Sequence, residues 1–204
     1  MASKVSKGAR NREALISAAA RLFWQRGYHG ASLADIAAEA GLPVGNLYYY
    51  FKSKAELALA VASGFSGDTQ DMLDEINAAA ADPRKRLQML AARLAASQRS
   101  RLTHGCPVAA AVRDFRGDAK AASDKAAEVF TLIAGYVSAE TGRTGLRPAL
   151  ALAAGRAAVA EWQGGIVLGH AMADAAAVAE SARRLGAEVK VRVGELTTIV
   201  REVL

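Results

Sequence analysis

The turn Gly41-Leu-Pro43 constrains this chain more than any other feature. A glycine can take the left-handed backbone that closes one helix, and a proline two residues later suits the first turn of the next. On one side, Ser32 followed three residues on by Asp35 forms the pattern of a capping box, with Leu33, Ile36 and Ala37 as an apolar face. On the other, about Pro43 to Tyr50 reads as a third helix, and Ser53-Lys-Ala-Glu56 is a second capping box that opens a fourth, leading to about Ser66. Before these, Arg10 to Gln25 reads as a longer helix with Leu15, Ile16, Ala19, Leu22 and Phe23 on one stripe, ended by Gly27 and Gly30. Two short helices joined by a glycine turn and backed by a longer one make a helix-turn-helix arrangement.

Beyond Gly67 the spacing predicts helices over about Thr69–Ala81, Pro83–Ser100, Pro107–Phe115, Ala119–Glu140, Pro148–Gly169 and Asp174–Val203. Pro83 and Pro148 occupy first-turn positions. No strand-like alternation bounded by hairpin turns occurs, and no repeat is evident. The expected fold is all-α: an N-terminal three-helix DNA-binding module over residues 1–52, with a basic arm at 1–10, and a C-terminal helical bundle over 53–204.

Charge narrows the partner. Residues 1–66 hold eight Lys/Arg against four Asp/Glu, whereas the remainder holds eighteen against sixteen. A basic bias confined to one small module suits a polyanion better than a small substrate. Lys4, Lys7, Arg10 and Arg12 can follow a phosphate backbone as a flexible arm, or simply be solvated. The N-terminus lacks the apolar core of a secretory signal, and Arg156, Glu161 and Gln163 interrupt the most hydrophobic stretch, so neither export nor a membrane helix is expected and a cytoplasmic location follows. Cys106, the one cysteine, has no partner for an internal disulfide or a metal site, and no cofactor, metal or catalytic residue is expected.

On the base-facing side of the third helix, Pro43, Val44, Gly45 and Asn46 are small or able to reach base edges. Asn46 can pair with adenine or a phosphate, Val44 can touch a thymine methyl, and Gly45 permits close backbone approach. Tyr48 and Tyr50 are expected to point outward with hydroxyls for phosphate oxygens, Leu47 and Phe51 to face the core, and Tyr49 is open between the two. Lys54 and Ser32, each at a helix start, are candidate phosphate anchors, although a serine there is first of all a cap. His29 reads as a loop residue and His170 as lying near a helix end.

Residues 11–62, with Leu22, Phe23 and Gly27, Ser32, Ile36-Ala37, Gly41, Leu47-Tyr-Tyr-Tyr-Phe51 and Ser53-Lys54, closely resemble the DNA-binding domain of the tetracycline repressor (TetR) family. The resemblance implies a homodimeric repressor of a palindromic, double-stranded operator, released by a small-molecule effector. It further implies that the C-terminal helices enclose the effector and that the last two helices of each subunit form the dimer interface. Ala157, Ala158, Trp162, Ile166 and Leu168, with a stripe of Val189, Val193, Leu196, Ile199 and Val200, are compatible with that interface or with packing inside one subunit. Met89, Cys106, Phe115, Phe130, Tyr136 and Trp162 are candidates to line the pocket, since aromatic and Met side chains serve both pocket walls and cores. His104-Gly-Cys-Pro-Val108 is similar to a stretch in some family members, a few of which sense electrophiles or oxidants through cysteine; an inert, packed thiol is the plainer reading. A constitutive architectural DNA binder without effector is the alternative. An enzyme built on Cys106 and His104 lacks a carboxylate orienter and an oxyanion motif.

Overall fold

A computed structural model describes residues 6–96 and 98–184. The described residues contain helices and no strand: α1 (Lys7–Gly30), α2 (Leu33–Glu39), α3 (Val44–Tyr50), α4 (Lys54–Ala79), α5 (Pro83–Ala95), α6 (Gln98–His104), α7 (Pro107–Phe115), α8 (Lys120–Arg143) and α9 (Pro148–Met172), with a further helical stretch at 175–184. They pack as two compact units. Among the described residues, the first combines those up to Gly67 with Pro107–Val129; the second combines those of Asp68–Cys106 with those from Phe130 to 184. Packing therefore draws the first unit wider than residues 1–52.

In the first unit, α1 starts earlier than its apolar stripe suggests because the Ser6 hydroxyl accepts the Ala9 N–H at 3.1 Å and caps the helix. Lys7, Arg10 and Arg12 thus stand on helical turns instead of a flexible arm, and Arg12 lies 5.2 Å over the Phe51 ring; Lys4 lies outside the described residues. Gly27, at φ 75° and ψ 165°, breaks the helical path inside the span assigned to α1, a conformation essentially reserved to glycine. Leu15, Ala18, Ala19, Leu22 and Phe23 bury one face of α1 against Ile36, Ala37, Leu47, Phe51, Leu57 and Val61. Burying each large aliphatic or aromatic side chain contributes roughly 1.5–3 kcal/mol.

Phe115 completes that core. Its ring stands 5.5 Å from Phe23 and 5.3 Å from Tyr28, both edge-on. α7 packs along α1, and the Ser66 and Ser123 hydroxyls donate to the carbonyls of Lys125 and Val112 at 3.2 and 2.8 Å.

α4 corrects the expectation of two helices meeting near Gly67: it runs unbroken through Gly64 and Gly67. An interior glycine costs a helix only about 1 kcal/mol, which the surrounding turns tolerate. The expected Pro83–Ser100 helix instead divides into α5 and α6.

In the second unit, Asp82 caps α5 and Pro83 opens it, burying Leu87, Leu90, Ala91 and Leu94. Glu140 on α8 is fully enclosed and meets the Arg86 guanidinium at 3.4 Å and the Arg143 guanidinium. α8 and α9 approach at backbone distance. A methyl group on Gly155 would overlap the Ala134 carbonyl and the Ser138 hydroxyl, and one on Gly165 or Gly169 would strike Ser181 or Val178 of the 175–184 stretch. The expected stripe from Val189 to Val200 lies outside the described residues.

Candidate nucleic-acid interface

α2 is held at both ends by bonds local in sequence. The Ser32 hydroxyl accepts the Asp35 N–H at 3.0 Å while the Asp35 carboxylate accepts the Ser32 N–H at 3.1 Å, the reciprocal capping box. The Ser32 hydroxyl also donates to Asp35 at 2.7 Å. Hydrogen bonds from the Ser32 side chain and then its backbone hold the Asp35 carboxyl below its ordinary pKa. With its proton and a lone pair so engaged, Ser32 can meet a phosphate only by displacing Asp35; its placement is that of a cap.

At the other end Gly41 takes φ 68°. Its N–H donates to Ala38 O at 3.0 Å and the Leu42 N–H to Ala37 O at 2.9 Å, the paired bonds of a Schellman turn. Pro43 then stands at the start of α3, which no side chain caps. The turn is what directs α3 away from α2.

Leu47 and Phe51 are buried, as their spacing predicts, and fix α3 on the core. Val44, Gly45 and Tyr48 face solvent, Tyr48 at 57% exposure, and Asn46 is half-buried. The tyrosines depart from expectation. Tyr50 is half-buried against the core, its hydroxyl beside Gly8 on α1, whereas Tyr49 is 84% exposed. The reason is helical geometry: Tyr50 lies three residues from Leu47 and shares its inward face, while Tyr49 projects from the opposite one. Tyr49 is the residue that the sequence left open, and counting three and four from Leu47 would have placed it.

Lys54 also departs from the picture of a free phosphate anchor. Its ammonium lies 4.6 Å from the Tyr28 ring centroid and 6.0 Å from that of Phe23, over the rings. Burial there pushes its pKa down, opposed by Asp118. Ser53 caps the helix through the Glu56 N–H at 3.1 Å, but the Glu56 carboxylate reaches the Lys52 N–H at 2.7 Å instead of closing the box on Ser53. His29 follows Gly27 and lies 3.7 Å from Asp118.

The structure does not bring the six pocket candidates together. Phe115 belongs to the core of the first unit, drawn there by Phe23 and Tyr28, and is not a pocket wall of the second. In the second unit, Cys106 is buried, Met89 and Phe130 are half-buried, and Tyr136 donates to Asn77 Oδ1 at 3.0 Å. Trp162 is buried beneath Arg101, whose guanidinium carbon lies 4.7 Å from its ring centroid. Near it, His170 in the last turn of α9 has Nδ1 2.8 Å from Leu102 O. Among the described residues no helix is long and apolar enough to cross a membrane.

Residues 15–61 match the family described as "Bacterial regulatory proteins, tetR family". The HTH-type transcriptional regulator LmrA of Bacillus subtilis (strain 168) is 35% identical over 79 residues, which are 38% of this chain and 42% of that protein. The HTH-type transcriptional repressor KstR2 of Rhodococcus jostii (strain RHA1) is 37% identical over 79 residues, 39% of each chain. The sequence matches thus span about two-fifths of these relatives. A TetR-family transcriptional regulator of Agrobacterium tumefaciens shares the fold at a TM-score of 0.77, with 18% identity over 89% of this chain and 98% of that one. Residues 15–61 thus resemble the tetR family of bacterial regulatory proteins in sequence, and the chain shares its fold with a solved TetR-family regulator over most of its length.

Proposed function

We propose that this chain is a homodimeric transcriptional repressor that reads a palindromic operator with α3 and is released by a small-molecule effector held in its C-terminal helical domain. The observation that carries the DNA-binding part is the split of α3: Leu47 and Phe51 anchor it while Val44, Gly45, Tyr48 and Tyr49 face outward. Val44 to Asn46 are the base-facing surface, and Pro43, Tyr48, Tyr49 and Lys54 contact or position the backbone. Tyr50 supports α3 from behind.

Exposed Val167, Leu168 and Met172 on α9 support a dimer, since an apolar face of this kind is covered in a stable assembly. Two heads on one axis double the phosphate contacts, which a single short helix cannot supply in number. The effector acts by favouring a conformation with lower operator affinity, a coupling of roughly 1–3 kcal/mol in such systems. Cys106 is buried and packs in this reading; loss of operator affinity under an electrophile, abolished by Cys106→Ser, would assign it to sensing instead. A regulator of chromosomal DNA acts in the cytoplasm.

The test is a footprint on DNA flanking the protein's own gene, repeated with a panel of metabolites and xenobiotics. A short symmetric protected site that disappears with one compound is expected. Diffuse protection unaffected by any compound would reject the reading in favour of an architectural role.

A further inference from the structure

Among the described residues, three side-chain nitrogens in the second unit are fully enclosed without a hydrogen-bond acceptor: Arg101 Nη1, Trp162 Nε1 and Gln163 Nε2. All are N–H donors, and they stand on α6 and α9, which pack against each other. Folded proteins pair nearly all such atoms, so three orphans of one kind on one helix pair require a physical cause.

Arg101 meets Trp162 directly, and Gln163 follows Trp162 on α9. The Arg101 guanidinium stacks on the Trp162 indole, yet it forms no ion pair with an acidic side chain among the described residues. The enclosed guanidinium elsewhere in the unit, Arg86, is matched to Glu140 and to the Ala80 carbonyl. An enclosed cation without a counter-charge is unfavourable. Stacking engages the face of a guanidinium and leaves its N–H groups, which lie in the plane, for an acceptor. Burial also lowers the Arg101 pKa, opposed by the neighbouring Cys106 thiol, which carries no charge while protonated.

We infer that Arg101, Trp162 and Gln163 form the polar end of a binding site for a small organic carboxylate. One guanidinium and two neutral donors balance a single negative charge on two acceptor oxygens, whereas a phosphate dianion would leave charge unmatched. Ile166, one turn beyond Trp162, is buried and carries no polar group, so the body of the ligand is apolar. This names the effector class and rests on the reading that the second unit takes an effector.

The experiment titrates the full chain with benzoate and octanoate, each against its neutral amide. The chain has two tryptophans, so a Trp24→Phe background makes Trp162 the reporter. A saturable change in its emission with at least one carboxylate and with neither amide is expected. Arg101→Gln is expected to weaken that binding by about tenfold or more, consistent with loss of a charge-assisted contact. Arg101→Met is expected to raise the melting temperature without ligand, by removing the unmatched cation, and to abolish stabilisation by the carboxylate; helix content by circular dichroism checks that both variants fold. Carboxylate and amide acting alike, no response to either acid up to about 10 mM, a dissociation constant weaker than which is below about 3 kcal/mol of binding free energy, or an Arg101→Gln variant that keeps the preference would overturn the site. Operator binding is measured in parallel. Carboxylate binding that leaves operator affinity unchanged supports the site and rejects release by effector, while operator binding in a chain that takes up no carboxylate rejects the site alone.

Discussion

Lys54 and Tyr28 meet as cation and ring, the ammonium 4.6 Å from the ring centroid, and this ties the first turn of α4 to the segment that follows Gly27. Such a contact is worth about 0.5–1 kcal/mol where partly exposed. In a double-mutant cycle of Lys54→Met and Tyr28→Leu, urea denaturation should return a coupling of about that size. A coupling indistinguishable from zero would show that the ammonium is merely near the ring. Tyr28→Leu should also weaken operator binding evenly across operator variants if, as proposed, Lys54 positions the complex and reads no base.

The proposed roles of Asn46 and Tyr49 separate readout from positioning. Asn46→Ala is expected to change which operator variants bind, with about 1–3 kcal/mol of discrimination lost at one base pair. Tyr49→Ala is expected to lower all affinities together. Fluorescence anisotropy on a set of single-base operator variants distinguishes the two, and parallel behaviour would contradict the division of roles on α3.

The Asp35 carboxyl titrates below its ordinary value of 3.8 because the Ser32 hydroxyl and N–H bond its charged form. A carboxyl depressed by folding stabilises the fold fully above its unfolded pKa, and that contribution disappears as pH falls through the folded value. Acid unfolding followed by circular dichroism should therefore begin at higher pH in Ser32→Ala, and Asp35→Asn should remove this part of the acid dependence. Identical acid limbs in all three proteins would contradict the coupling.

Gly27 and Gly41 both take positive φ, at 75° and 68°, but with different ψ. Gly41 lies in open space, so Gly41→Ala costs about 1 kcal/mol of backbone strain. Gly27 pairs its φ with a ψ of 165°, where other residues are scarcely found, and a methyl there would press on Asp114; about 1–3 kcal/mol is expected. Thermal denaturation should rank Gly27→Ala as the more damaging.

Glu140, fully enclosed between Arg86 and Arg143, gives the largest expected effect. Glu140→Ala leaves the largely buried Arg86 without its counter-charge and should destabilise by about 3–5 kcal/mol. Glu140→Gln, which keeps an acceptor, should lose less. Equal losses in denaturant titrations would mean that the charge alone, and neither the acceptor nor the volume, sets the effect at this position.

What was legible in the sequence is what is local in it. The caps at Ser32 and Ser53, the glycine turn at Gly41 and the inward pair Leu47 and Phe51 all act within about one helical turn, so spacing alone finds them. Tyr50 was expected outward and Tyr49 left open because both faces of a short helix offer tyrosine something, water on one and a half-buried ledge on the other. The ring contacts of Lys54 and Phe115 were not legible for a different reason: the rings that meet them are remote along the chain, and no periodicity reports a contact between Tyr28 and residue 115. The unbroken α4 reflects how little two glycines weaken a long helix.

Phe115 has a consequence for how the DNA-reading head can be made. Phe23 and Tyr28 leave the ribosome long before α7 exists to cover them, so during synthesis the head waits with part of its core uncovered, although domains ordinarily fold as units in order of emergence. For the same reason a fragment cut after Gly67 would carry every residue proposed to face DNA and still lack the ring that closes the core behind them. The head is an assembly of two separated stretches of chain, and its maturation is timed by the later one.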